Sequence, residues 1–256
     1  MLSTALPPPS EPSLDDVRCL ARLRLALRDD GLSLVAQPIV NLTTGKVVGH
    51  ELLVRLVGPH STLIGPDYFL PAAERTGLIA DLDRWVLERA VAVMAAGHRV
   101  NVNLSARSIG RCGVLPDLED AVARTGADPT LLTVEITETA ATEDIAAAAS
   151  FCDHVTALGA QLALDDFGMG YGGLLYLKSL PVEMLKIDVE FVHDVVSNRC
   201  SRAVVEAVAT IADDLGQVTV AEGVEDEATR GLLRELGVHC GQGFHLGRPV
   251  PVEELG

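Results

Sequence analysis

Aromatic residues are scarce: they make up 4% of the 256 residues, and Trp occurs once. A core so short of rings must be assembled from Ala, Val, Leu and Ile. That composition suits a parallel sheet buried between helices, whose strands read as short continuous apolar runs. Positive charge is also in short supply. Against 36 Asp and Glu stand 20 Lys and Arg, for a formal net charge of -16. Such a surface repels a nucleic-acid backbone, so a nucleic-acid polymer is not an expected partner. A small phosphorylated ligand is compatible only with a site that creates its own local positive charge. No window approaches the roughly 18 apolar residues of a membrane span. The opening MLSTALPPPSEPS lacks the basic stretch and apolar run of a signal peptide. The five cysteines are scattered singly with no C-x-x-C spacing, which excludes an evident zinc or disulfide framework. A soluble, cytoplasmic protein with reduced thiols is expected.

Residues 1–13 are rich in Pro and Ser and are expected to be disordered. Ser13, with Asp16 three positions on, predicts a capped helix running to Gly31. From there apolar runs alternate with amphipathic stretches. Strands are predicted at LVAQPIV, VVGHELLVRL, HRVNVNL, LLTVEIT, QLALDD, EMLKID, QVTVAE and VHCGQ, with helices between them. Helix stops are predicted at Gly97, Gly159, Gly216 and Gly237. Eight strands alternating with helices predict an α/β fold of the TIM-type (β/α)8 barrel class. Only NLTTGK separates the first two strands, too little for a helical crossover. They are expected to form an antiparallel hairpin, making the barrel irregular at its start with an antiparallel first strand. One domain over residues 14–256 is the expected organisation.

Polar residues close the apolar runs with regularity. Glu51 lies in the second run, Asn103 follows VNV, and Glu135 follows TV. Asp165 and Asp166 close LAL, Lys186 follows ML, Glu222 follows VA, and Gln242 follows HCG. In a barrel of parallel strands these positions converge on the face where active sites of this architecture sit. Any single carboxylate at a strand end is ordinarily a loop anchor or helix cap. Five on one rim repel one another in a low-dielectric cleft and call for compensation. Hard divalent cations such as Mg²⁺ and Mn²⁺ supply it. An Asp-Asp pair is a natural bridge between two ions about 3.5–4 Å apart, the spacing used in phosphodiester displacement. The residues alone therefore favour metal-dependent phosphoryl or enolate chemistry.

The segments AQPIVNLTTGKVVGHELLVR, FLPAAERTGLI, VNLSARS, VEITET, DDFGMGYGGLLYLKSLPVEMLKID, VAEGVE and GQGFHLGRP resemble the EAL domain family of cyclic di-GMP phosphodiesterases. The likeness covers nearly everything after residue 14. It implies metal-dependent hydrolysis of cyclic di-GMP to linear pGpG with two ions of Mg²⁺ or Mn²⁺. One ion would be held by Glu51, Asn103, Glu135 and Asp165, the other by Asp165, Asp166 and Glu222. Lys186 and Gln242 would orient the attacking water, Arg55 would hold the substrate phosphate, and Gln37 and Leu53 would line the dinucleotide groove. Glu225 fits the family pattern beside the substrate, and Asp188 is expected to support the ligands. Glu138 would anchor the loop after the Asp pair. The family commonly dimerises, so a homodimer is an expected assembly. With both ions, Arg55 and Lys186 counted against five carboxylates, the site becomes slightly positive, which reconciles an acidic protein with an anionic substrate.

The chain departs from the family pattern at three places. Leu52 stands for the usual Ala of the name-giving motif and should face away from the ions in an alternating strand. Ala36 replaces a usual Tyr and is expected to loosen a groove wall. Gly168-Met169-Gly170-Tyr171-Gly172-Gly173 carries glycines where hydroxyl residues are usual, so reduced activity is an alternative, with the chain a cyclic di-GMP-binding or protein-interaction module. Gly168, Gly170 and Gly173 also form a G-x-G-x-x-G, but Asp165 and Asp166 occupy the place where a pyrophosphate would need helix N–H groups, which argues against a nicotinamide site.

Overall fold

The computed structural model describes residues 14–109, 114–137, 145–168, 177–178 and 180–255. Ten strands form one sheet: β1 (Leu32–Asn41), β2 (Val47–Val57), β3 (Leu63–Ile64), β4 (Val100–Asn103), β5 (Leu132–Thr137), β6 (Gln161–Phe167), β7 (Met184–Ile187), β8 (Val218–Ala221), β9 (Cys240–Gly241) and β10 (Val250–Pro251). The helices are α1 (Leu14–Arg28), α2 (Leu70–Thr76), α3 (Ile79–Ala95), α4 (Ala106–Ile109), α5 (Val114–Thr125), α6 (Ile145–Leu158), α7 (Val189–His193), α8 (Arg199–Leu215) and α9 (Glu227–Glu235). Neighbouring strands run in the order β1-β9-β8-β7-β6-β5-β4-β2, and the β1–β2 pair closes the ring. β1 is antiparallel to both neighbours, whereas β2 and β4 to β9 are parallel in succession. This is the eight-stranded barrel with an antiparallel first strand that the alternation and the short NLTTGK link predict.

Two short strands extend the predicted set: β3 pairs with the end of β2, and β10 pairs with β1. Ser13, the predicted helix cap, lies outside the described residues. The predicted glycine stops hold, since Gly97, Gly159, Gly216 and Gly237 all take positive φ. Cys19, Cys152, Cys200 and Cys240 form no disulfide among the described residues. Among the described residues, no helix is long and apolar enough to cross a membrane.

Strand alternation sorts side chains between two cores. Residues facing outward, such as Leu52, Val102, Val134, Leu164 and Leu185, join the large cluster beneath the helices. Inside the barrel, Ile39, Val220 and Cys240 pack with Met184 into a small plug. The layer above that plug is polar. Leu52 is buried in the outer cluster, so the change from Ala is absorbed by packing, as alternation predicts. Ala36 is paired with Leu52 and buried in that same cluster. Its outward face corrects the expectation of a loosened groove wall: the position contributes to helix packing and does not border the cleft.

Candidate active site

Lys186 stands at the centre of the polar layer, on β7, with only 1% of its surface exposed. Its ammonium Nζ lies 2.7 Å from Glu135 Oε2, 2.6 Å from Glu222 Oε1, 3.3 Å from Asp165 Oδ1 and 3.4 Å from Glu51 Oε2. Burial works to lower the Lys186 pKa, but the four surrounding carboxylates hold it well above the ordinary lysine value. Glu135 is wholly buried, which pushes its carboxyl upward against the opposing pull of Lys186.

Amides complete the layer. Asn103 Nδ2 donates to Glu51 Oε1 at 2.6 Å. Gln242 Nε2 donates to Glu51 Oε2 at 2.7 Å and to Gln37 Oε1 at 3.1 Å. Its carbonyl Oε1 is buried without a protein partner. Asn101, which the sequence reading passed over, donates its Nδ2 to Glu135 Oε1 at 2.7 Å. The signal was available: in VNVN, a period of two puts Asn101 on the same face as Asn103.

The Asp pair depends on a backbone bend. Consecutive residues of a strand point to opposite faces, so Asp165 and Asp166 could not both serve the rim in regular β structure. Asp166 adopts φ 55°, in the left-handed region that Asp tolerates better than most residues. The bend sets Asp166 N 3.0 Å from Asp165 Oδ1. It also leaves one oxygen each of Asp165, Asp166 and Glu222 within 4.8 Å of one another, the one such group of His, Cys, Asp and Glu among the described residues. Burial, then the charges of Asp165 and Asp188, push the Asp166 pKa up to about 6. Burial likewise lifts Glu222 to about 7, with Lys186 opposing. In both, burial is the larger cause and neighbouring carboxylates add to it.

That donor set fits hard divalent ions. All the clustered ligands are oxygens, the choice of Mg²⁺ and Mn²⁺. Five carboxylates, Glu51, Glu135, Asp165, Asp166 and Glu222, face a single central ammonium. The Asp165–Asp166–Glu222 group matches one of the two implied ligand sets. The other set, Glu51, Asn103, Glu135 and Asp165, lies on neighbouring strands of the same mouth, with its three carboxylates gathered on Lys186 Nζ.

Beside this cluster opens a cleft of about 330 Å³ lined by Gln37, Glu51, Leu53, Val189, Glu222, Gly223, Glu225, Gln242, Gly243 and Phe244. Gln37, Leu53 and Glu225 border it. Arg55, two residues beyond Leu53 on the same strand, is half-buried and donates Nη1 to Val54 O at 2.9 Å. Phe244 was not foreseen. The residue is 54% exposed at the cleft, with the Arg248 guanidinium 4.5 Å from its ring centroid. A lone Phe in GQGFHLGRP gives no sign that its side chain faces solvent. Asp188 caps α7, accepting from Glu190 N at 2.7 Å, and its charge bears on Asp166. Glu138 and residues 169–173 of the glycine loop lie outside the described residues.

A profile of the EAL domain family matches residues 20–249. The chain belongs to the EAL domain family. It is 39% identical over 248 residues to the bifunctional diguanylate cyclase/cyclic di-GMP phosphodiesterase MucR of Pseudomonas aeruginosa, covering 94% of this chain and 36% of that protein. It is 34% identical over 244 residues to the cyclic di-GMP phosphodiesterase PdeF of Escherichia coli, covering 93% of this chain and 32% of that one. The chain therefore spans about a third of the length of these relatives. Among solved EAL structures, the MucR phosphodiesterase in complex with cyclic di-GMP superposes with a TM-score of 0.88 at 39% identity, over 93% of this chain and all of that one. The FimX EAL domain of Pseudomonas aeruginosa bound to cyclic di-GMP gives a TM-score of 0.84 at 28% identity, over 90% and 96%.

Proposed function

We propose that this EAL domain, residues 14–256, hydrolyses cyclic di-GMP to linear pGpG with the help of two Mg²⁺ or Mn²⁺ ions. The observation that carries the reading is the Asp165–Asp166–Glu222 oxygen group beside the Lys186 ammonium at the barrel mouth. The likeness to EAL proteins named as cyclic di-GMP phosphodiesterases supports the substrate.

In this reading Glu51, Asn103, Glu135 and Asp165 hold one ion, and Asp165, Asp166 and Glu222 hold the other. When bound, the ions supply positive charge to the phosphoryl oxygens and make water a better nucleophile near neutral pH. The rest is done by the protein. Gln242 Oε1, buried and unpaired, accepts a hydrogen bond from the attacking water, while its Nε2 is held by Glu51 and Gln37. Lys186 Nζ directs its charge toward the phosphoryl group under attack. Glu222 bridges Lys186 and the ion site, which fixes the ammonium's direction. Gln37, Leu53 and Glu225 border the cleft that takes the dinucleotide. Arg55 reaches a substrate phosphate by exchanging its bond to Val54 O. Glu138 anchors the loop after Asp166. Retention of every metal-ligand residue favours turnover over the silent binding module.

The deciding experiment is incubation of the purified protein with cyclic di-GMP and MgCl₂ or MnCl₂, with nucleotides separated by chromatography. Appearance of pGpG, lost on adding EDTA, is the expected result. Binding of cyclic di-GMP without any pGpG would replace this reading with the binding-module alternative.

A further inference from the structure

We infer that Asp83, on α3 and outside the cleft, is a positioning residue for the metal ligand Asn103; the inference rests on the metal-dependent reading above. Asp83 is the one acidic residue on the buried face of α3, 4% exposed among Ile79, Leu82, Val86 and Leu87. One of its oxygens, Oδ2, accepts three hydrogen bonds: from Ser105 N at 3.0 Å, Ser105 Oγ at 2.8 Å and Ser108 Oγ at 2.6 Å. All three donors are neutral. Burying a carboxylate on neutral donors is costly, and its pKa is raised by burial more than the hydrogen bonds lower it. An apolar residue would pack α3 at lower cost, so the reason for a carboxylate lies in what it holds.

What it holds is the turn that follows β4. Asn103 is the last residue of β4, and its amide Nδ2 donates to Glu51 Oε1. The next residue, Leu104, donates its N–H to Glu135 O at 3.0 Å. Ser105 then reaches Asp83 through both backbone and side chain, and Ser108 on α4 closes the same acceptor. The chain is therefore fixed immediately on the far side of Asn103, while Asn103 itself is exposed at the mouth. Without the Asp83 tie, the end of a four-residue strand would be free to turn its amide away from Glu51. Groups that orient a ligand from behind contribute to affinity for the ion: their loss typically costs about 10–100-fold.

The test is calorimetric titration of the purified domain with MnCl₂, with folding checked by circular dichroism. Asp83→Ala should weaken Mn²⁺ binding about tenfold or more. Asp83→Asn keeps an acceptor oxygen for the serines and should restore affinity to within about threefold of wild type. Ser105→Ala, which keeps the backbone bond, should fall between them and stands in if Asp83→Ala does not fold. In an Asn103→Ala background, Asp83→Ala should produce little further loss, because its effect passes through Asn103. A purely structural role predicts lower melting temperature with unchanged Mn²⁺ affinity in every variant, and that outcome overturns the inference alone. A wild-type protein that binds no Mn²⁺ overturns the metal reading as well.

Discussion

Lys186 and Asp165 sit on the same charge cluster but respond oppositely to removal. Among the described residues, Lys186 is the only cation within the polar layer, and it touches four carboxylates. Lys186→Met keeps much of the side-chain volume while leaving Glu135 buried with only Asn101 as a donor. Breaking a buried ion pair from one side typically costs 3–5 kcal/mol, about the loss expected for the metal-free protein in urea denaturation. Asp165→Asn removes one negative charge from a crowd of five. The metal-free variant should be as stable as wild type or more so, because it relieves repulsion. Its hydrolysis should nonetheless fall by roughly 10²-fold or more, since an ion ligand common to both proposed sets is lost. Wild-type turnover in Asp165→Asn would show that the ligand assignment is wrong, and an unchanged urea midpoint in Lys186→Met would show that the ammonium does not stabilise the layer.

At the level of elements, the strand ends were legible because alternation and the barrel's polarity leave little choice. Once β2 and β4 to β8 are parallel, Glu51, Asn103, Glu135, Asp165, Lys186 and Glu222 must share a mouth. The bend at Asp166 was not legible, since φ 55° leaves no mark in a composition of two aspartates. Asp83 was hidden for a related reason: its partners, Ser105 and Ser108, lie more than twenty residues away and meet it only through the packing of α3 on β4. The turn after β9 shows how such a feature is enforced. A Cβ on Gly243 would collide with Val224 O and Val224 N, backbone atoms that cannot swing aside. Val224 in turn donates its N–H to Gln242 O and accepts from His245 N. Gly243→Ala must therefore push the β9 turn off Val224, at a cost of about 1–3 kcal/mol for overpacking. It should also displace Gln242 from Glu51. A thermal melt and steady-state kinetics on this variant should fall together; a stable variant with full activity would mean that the turn relaxes without moving Gln242.

On the scale of the whole molecule, a formal charge of -16 makes the acidic mouth part of a larger field. Monovalent salt screens the exposed part of that field over about 10 Å at 0.1 M but does little for carboxylates enclosed with Lys186. Divalent ions held at the mouth as proposed would act differently, because the ligand set exists only in the folded chain. An ion that binds the native state alone stabilises it by about 2.7 kcal/mol at a hundredfold excess over its dissociation constant. For a domain of this size each kcal/mol moves the melting temperature by about 2–4 °C. Saturating MnCl₂ should accordingly raise the wild-type melting temperature by roughly 5–10 °C over the EDTA-treated protein. KCl at equal ionic strength should give a smaller rise, and Asp165→Asn should lose most of the Mn²⁺ increment while keeping the KCl one. The contrast separates specific ligation from general screening: equal shifts with MnCl₂ and KCl, or an Mn²⁺ shift that survives in Asp165→Asn, would mean that the carboxylates of the barrel mouth do not ligate the ion.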